Sequence, residues 1–190
     1  MKAKSLRAWI IALLACIVGS AVYSTCWRWM PHNQFATYLS IFIYTLVPFC
    51  ELMLGLLFAK DDASPQAKRG GILYAIAGIL GLLLQVLVLF SQILSRQLIN
   101  TPVHLTFIAS CAVLLSAAFI LIALSFFERR LLVWAIVYAV FKIAFAVALS
   151  ACRLIPDNHL LFSLLYGFAA VGVDVCLLGY FIKMLKLLKR

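Results

Sequence analysis

Six apolar runs, each about the length that a lipid bilayer demands, constrain this chain more than any other feature of its sequence. They occupy residues 8–27, 36–59, 71–94, 104–127, 131–152 and 160–182. A helix that crosses the hydrocarbon core needs about 20 mostly apolar residues. The composition leaves few alternatives, because 66% of the 190 residues are hydrophobic and only 12% are charged, whereas roughly half the residues of a soluble domain are apolar. Segments of about 10 residues that alternate apolar and polar positions, the signature of a membrane barrel, are absent, so the backbone must satisfy its hydrogen bonds within helices. The expected fold is all-α: a polytopic membrane protein with six transmembrane helices, arranged as three consecutive two-helix hairpins in a single domain, 1–190.

The net charge of +10 follows the threading and does not point to nucleic acid. Lys2, Lys4 and Arg7 precede the first run, and Lys60, Lys68 and Arg69 follow the second. Arg129 and Arg130 follow the fourth, and Lys183, Lys186, Lys189 and Arg190 follow the sixth. All fall on one side of a six-helix weave, and the opposite side keeps only Arg28, Arg96 and Arg153. The positive-inside rule then places both termini in the cytoplasm of a multi-pass protein of the inner (plasma) membrane. The basic C-terminal tail reads as a stop signal. "MKAKSLR" followed by "AWIIALLAC" looks like a lipoprotein leader ending at Cys16. The apolar run continues through "IVGSAVY", as a spanning helix does. Trp9, Trp27, Trp29 and Trp134 fall near the ends of the runs, as residues of an aromatic belt do.

The loops are short. The longest, "AKDDASPQAKRGG", joins the second and third runs, and its Asp61 and Asp62 read as a solvated turn pair with too few ligands for a metal. Each of the three opposite loops carries the same residue types: Arg28, Pro31, His32 and Asn33; Arg96, Asn100, Pro102 and His104; Arg153, Pro156, Asn158 and His159. This recurrence suggests a threefold repeat of one hairpin. The three arginines are candidates for an anion clamp at the mouth of a bundle. His32, His104 and His159 are candidate metal ligands, without the close spacing of a zinc motif. The bland alternative for all six is interfacial anchoring.

Three ionisable residues lie deep in the runs, and such residues are costly in a membrane and are usually functional or paired. Glu51 and Asp174 each lie roughly 14 Å, and Lys142 roughly 18 Å, from the basic end of their helix at about 1.5 Å per residue. All three share a layer near the bilayer midplane, and a Glu51, Lys142, Asp174 cluster is expected. Each sits on a stripe of small or polar residues that should face a neighbouring helix. The stripes are Tyr44, Pro48, Glu51 and Gly55; Ala135, Ala139, Lys142, Ala146 and Ser150; and Gly167, Ala170 and Asp174. A fourth stripe, Gly71, Gly78, Gln85 and Gln92, is expected to point inward with them.

The six cysteines, Cys16, Cys26, Cys50, Cys111, Cys152 and Cys176, show no CxxC spacing, and most lie in the apolar runs, where cysteine behaves as a small hydrophobe. Cys26 and Cys152 are the two near the outer surface, and whether they pair there stays open. Cys152, Arg153 and His159 together resemble the Cys, Arg and His set of membrane-embedded exosortase transpeptidases, which would imply a thiol enzyme. No HExxH, GxSxG, phosphate-binding glycine loop or paired-aspartate motif accompanies them. Six helices in 190 residues, with the small-residue pattern "ALLACIVGSA" at 12–21, resemble the S components of energy-coupling-factor transporters. That resemblance implies a bound vitamin or metal and partner subunits. The three hairpins with proline in their outer loops also resemble HdeD-type membrane proteins, which implies no catalysis.

These readings favour a protein that binds or transports a small solute or ion, with a non-catalytic structural, stress-related or accessory subunit as the alternative. The expected partners are the lipid bilayer and either further copies of the chain or other membrane subunits. No residue pattern names a cofactor.

Overall fold

The computed structural model describes residues 3–26, 34–60, 64–93, 102–154 and 159–188, without the side chains of 3, 24–25, 34–37, 92–93, 152–154 and 159–160. It contains six helices, α1 (Ala3–Cys26), α2 (Gln34–Ala59), α3 (Pro65–Ile93), α4 (Pro102–Ser125), α5 (Arg129–Leu154) and α6 (His159–Leu187), each long and apolar enough to cross a membrane. No strand occurs among the described residues. The helices follow the apolar runs; α1, α3, α5 and α6 overshoot them at the basic end, α2 ends with its run and α4 stops two residues short. Ser64 caps α3, its Oγ accepting from the Ala67 N–H at 3.2 Å, and Pro65 takes the first helical position, where a missing N–H costs nothing. At the other extreme α6 continues to Leu187 and carries Lys183 to Glu128, 3.6 Å away.

Within the described residues, backbones approach one another only between chain neighbours and between α1 and α6. The six helices therefore form a closed ring, and the α1–α6 seam is its thinnest junction. The α2–α3 junction is the most intimate. Lipid tails are as apolar as leucine, so helices associate in a membrane mainly by close packing, which small residues permit. A Cβ on Gly55 would lie 2.3 Å from the Ala75 backbone nitrogen, one on Gly71 2.3 Å from that of Ala59, and one on Gly78 2.6 Å from that of Leu52. The α5–α6 junction uses a different device. Trp134 lies over Gly179 and Phe141 over Gly172, two large rings seven residues apart meeting two glycines seven residues apart on an antiparallel helix. Trp134 thus fills a notch in α6.

The half of the ring nearest the termini is solid. Leu6, Ile10, Leu13 and Ile17 form one buried stripe on α1 and meet Leu54, Phe58, Leu131, Phe181 and Met184. Phe119 stands at the centre. Its ring lies 5.1 Å from Tyr74, 4.7 Å from Tyr138, 4.8 Å from Tyr180 and 5.6 Å from Phe181, all in tilted or edge-on contacts of the kind aromatic quadrupoles favour. Tyr180 also donates to the Phe119 carbonyl at 3.2 Å. This aromatic plug closes one end of the ring and leaves the other half to form a chamber.

Candidate functional site

The chamber begins where the plug ends. Pro48 interrupts α2 one turn before Glu51. A proline in a helix donates no backbone bond to the preceding turn and bends the helix. The ring of Pro48 seats against Gly81 of α3, where a Cβ would lie 2.7 Å from the proline Cβ. All six helices contribute to the resulting cavity of about 480 Å³. Its charged and polar wall consists of Glu51 (α2), Gln85 (α3), Lys142 (α5) and Asp174 (α6), with Tyr44, Phe145 and Tyr166 as aromatic wall. It runs from Glu51, Leu115 and Leu177 near the plug to Ser20, Tyr44, Gln85 and Tyr166, which lie within roughly 10 to 15 Å of the far helix ends at 1.5 Å per residue.

Glu51 is 8% exposed and makes no hydrogen bond to a described residue. Lys142 lies over the Phe145 ring, its Nζ 5.7 Å from the centroid, within the range of a cation–π contact. Lys142 acts electrostatically on both Glu51 and Asp174, but among the described residues it closes no ion pair within 4.0 Å with either. The three groups face one space without neutralising one another by contact. Behind Glu51, the hydroxyls of Tyr74 and Tyr138 are buried without a hydrogen-bond partner and lie within electrostatic reach of its carboxylate. Leaving a buried hydroxyl unpaired costs about 1–3 kcal/mol. Tyr74 and Tyr138 thus leave two unpaired hydroxyls where the plug meets the cavity.

No protein-family model matches this chain, and no curated protein or solved structure matches it.

The structure brings Glu51, Lys142, Asp174 and Gln85 to one cavity. Gln92 lies on α3, with its side chain outside the described set. Arg28, His32 and Arg96 lie outside the described residues, and so do the side chains of Arg153, His159 and Cys152. His104, in the first turn of α4, is 8% exposed and is not part of the cavity wall. No group of three or more His, Cys, Asp or Glu among the described residues could hold a metal ion.

Two stripes read from the sequence turn out differently. On α6, Gly167 faces open space, and the inward stripe is Tyr166, Val173 and Leu177, with Asp174 half-buried at its edge. On α5 the cavity face is Lys142, Phe145 and Leu149. Ala146 and Ser150 line instead a groove of about 410 Å³ between α4 and α5, with Ala109, Ala112 and Val113. Helical spacing from the charges would have found what was missed, because Tyr138 and Phe145 stand four residues before and three after Lys142, on its own face.

Proposed function

We propose that this protein binds a small solute or ion in the cavity within the ring and serves its passage across the membrane. The observation that carries the reading is that one carboxylate or ammonium from each of three helices, with Gln85 from a fourth, shares a single chamber of about 480 Å³. Each such charge costs about 2.5–3.5 kcal/mol to place at the centre of a spanning helix. A bundle that needed only to pack would do better with apolar residues of the same size. The volume lies within the roughly 300–1,000 Å³ range of small-molecule sites. In this reading the termini lie in the cytoplasm, the plug closes the cytoplasmic half, and the cavity is reached from outside. The three hairpins would then be repeats of one unit, their arginines ringing the entrance.

The test is purification in mild detergent followed by native mass spectrometry of the wild type and of Glu51→Gln. A co-purifying small molecule that is lost in the variant supports the reading. A bare protein that stays folded and active in the cell with Glu51, Lys142 and Asp174 all made apolar sinks it. Activity fusions at either terminus test the orientation, since a periplasmic reporter that is active there would reverse it.

One observation favours a second role, as an accessory subunit. The groove between α4 and α5 is walled largely by alanines on the outside of the ring, the kind of surface on which another transmembrane helix seats closely. Cross-linking from Ala109→Cys to a different protein, and not to lipid alone, is the expected result if a subunit docks there.

A further inference from the structure

The solute-binding reading leaves open what the chamber accepts, and the balance of charges in its wall narrows the class. Among the described residues that line the cavity, Glu51 and Asp174 oppose a single cation, Lys142, and no other side chain is charged. With all three ionised the wall carries one negative charge in excess. An isolated charge deep in a membrane is costly unless a partner neutralises it. Lys142 already rests over Phe145, while Glu51 stays 92% buried with no hydrogen bond to a described residue.

The walls discriminate among positive partners. A hard inorganic ion such as calcium takes six to eight converging oxygen ligands, whereas this wall sets its carboxylates toward the plug and the Gln85 amide and the Ser20, Tyr44 and Tyr166 hydroxyls toward the far end. A mostly apolar chamber with its acids toward one end suits instead an organic ammonium compound, whose charged head meets the acids while its apolar body fills the rest. Tyr44 lines the cavity with Glu51 on α2, and Tyr166 stacks on Phe145 at 4.7 Å with Asp174 on the same helix as Tyr166. We propose that the chamber is a site for a small organic monocation, its amine or quaternary ammonium group held between Glu51 and Asp174 and its apolar body running toward Tyr44 and Tyr166 at the far end. This inference rests on the solute-binding reading and specifies its ligand. Lys142 then acts as a gatekeeper of charge, lowering the excess from two to one so that a monocation and not a dication completes the site.

The experiment uses the full chain in lipid nanodiscs and three probes of similar size: benzyltrimethylammonium, benzyl alcohol and benzoate. Binding is read by calorimetry and by the shift in thermal unfolding. The cation is expected to bind at least tenfold more tightly than either other probe. Glu51→Gln and Asp174→Asn should each weaken it tenfold or more, and Lys142→Met should tighten it, a sign that a merely structural lysine would not give. If Lys142→Met fails to fold, the Asp174→Asn comparison still decides, because that group is half-buried and its isostere preserves the packing. Preferential binding of benzoate or benzyl alcohol, weakened by Lys142→Met or Gln85→Leu, overturns the cation assignment and leaves the solute-binding reading standing. No binding by any of the three probes to a monodisperse protein overturns both.

Discussion

Glu51 concentrates the conflict between stability and use in a single side chain. It is buried on a helix where leucine would fit, and it receives no hydrogen bond from the described residues. Exchanging a whole buried ion pair for well-packed apolar residues is often stabilising by about 1–4 kcal/mol, and the loss that follows removal of one partner requires a contact pair, which Glu51 does not make among the described residues. Glu51→Leu is therefore expected to raise the thermal unfolding midpoint in detergent while abolishing solute binding. A lower midpoint would mean that the carboxylate has a structural partner. Glycines give the opposite kind of residue-scale test. A side chain at Gly78 would collide with the Leu52 backbone, whereas one at Gly167 would enter open space. Gly78→Val should cost about 1–3 kcal/mol through overpacking, and Gly167→Ala should change stability by no more than about 0.5 kcal/mol. Equal losses from both in chemical denaturation would contradict the α2–α3 contact. The three charges of the cavity were legible in the sequence because charged residues stand out against 66% hydrophobic neighbours. Of the plug tyrosines only Tyr138 was marked, by its four-residue spacing from Lys142; Tyr74 and Tyr180 have no cavity charge at such a spacing, and an aromatic in an apolar run does not otherwise reveal which way it points.

Helix positions were also legible, since about 20 apolar residues is a length that few other structures need. Helix rotation was not. A soluble helix reveals its inner face by being apolar there and polar opposite, but a helix between lipid and a packed interior is apolar all round. The misplacement of Gly167 and the reassignment of Ala146 and Ser150 to the outer groove both follow from that loss of contrast. Small residues mark where helices touch, and on α5 the touching face is not the cavity face. A contact between elements that the sequence did not suggest is that of Cys16 on α1 with Cys50 on α2, whose sulfurs lie 4.0 Å apart. Mild oxidation in the membrane is expected to bridge them, and peptide mapping should find the α1–α2 link in the wild type and lose it in Cys16→Ala. A bridge between any other cysteine pair in its place would disprove this helix adjacency.

Across the whole ring, the charges of α2 and α5 answer one another although these helices are not neighbours. Glu51→Lys would set two cations against Asp174, and Lys142→Glu would set three acids together. Each variant alone is expected to accumulate poorly, and the double exchange to recover with a coupling of about 1 kcal/mol or more. Simple additivity of the two losses would show that the charges do not share a space. The thin α1–α6 seam bears on the protein's birth as well as its architecture. A ring that is closed by its first and sixth helices cannot close until the sixth has emerged from the ribosome and entered the bilayer. For most of that interval Glu51 has been made and Lys142, on α5, has not, and the α6 wall of the chamber comes last. A nascent chain stopped after α4 therefore carries a bare acid beside lipid, a flaw that completion of the ring hides. Such truncated chains are expected to be degraded quickly, and to persist longer in a pulse-chase when Glu51 is leucine.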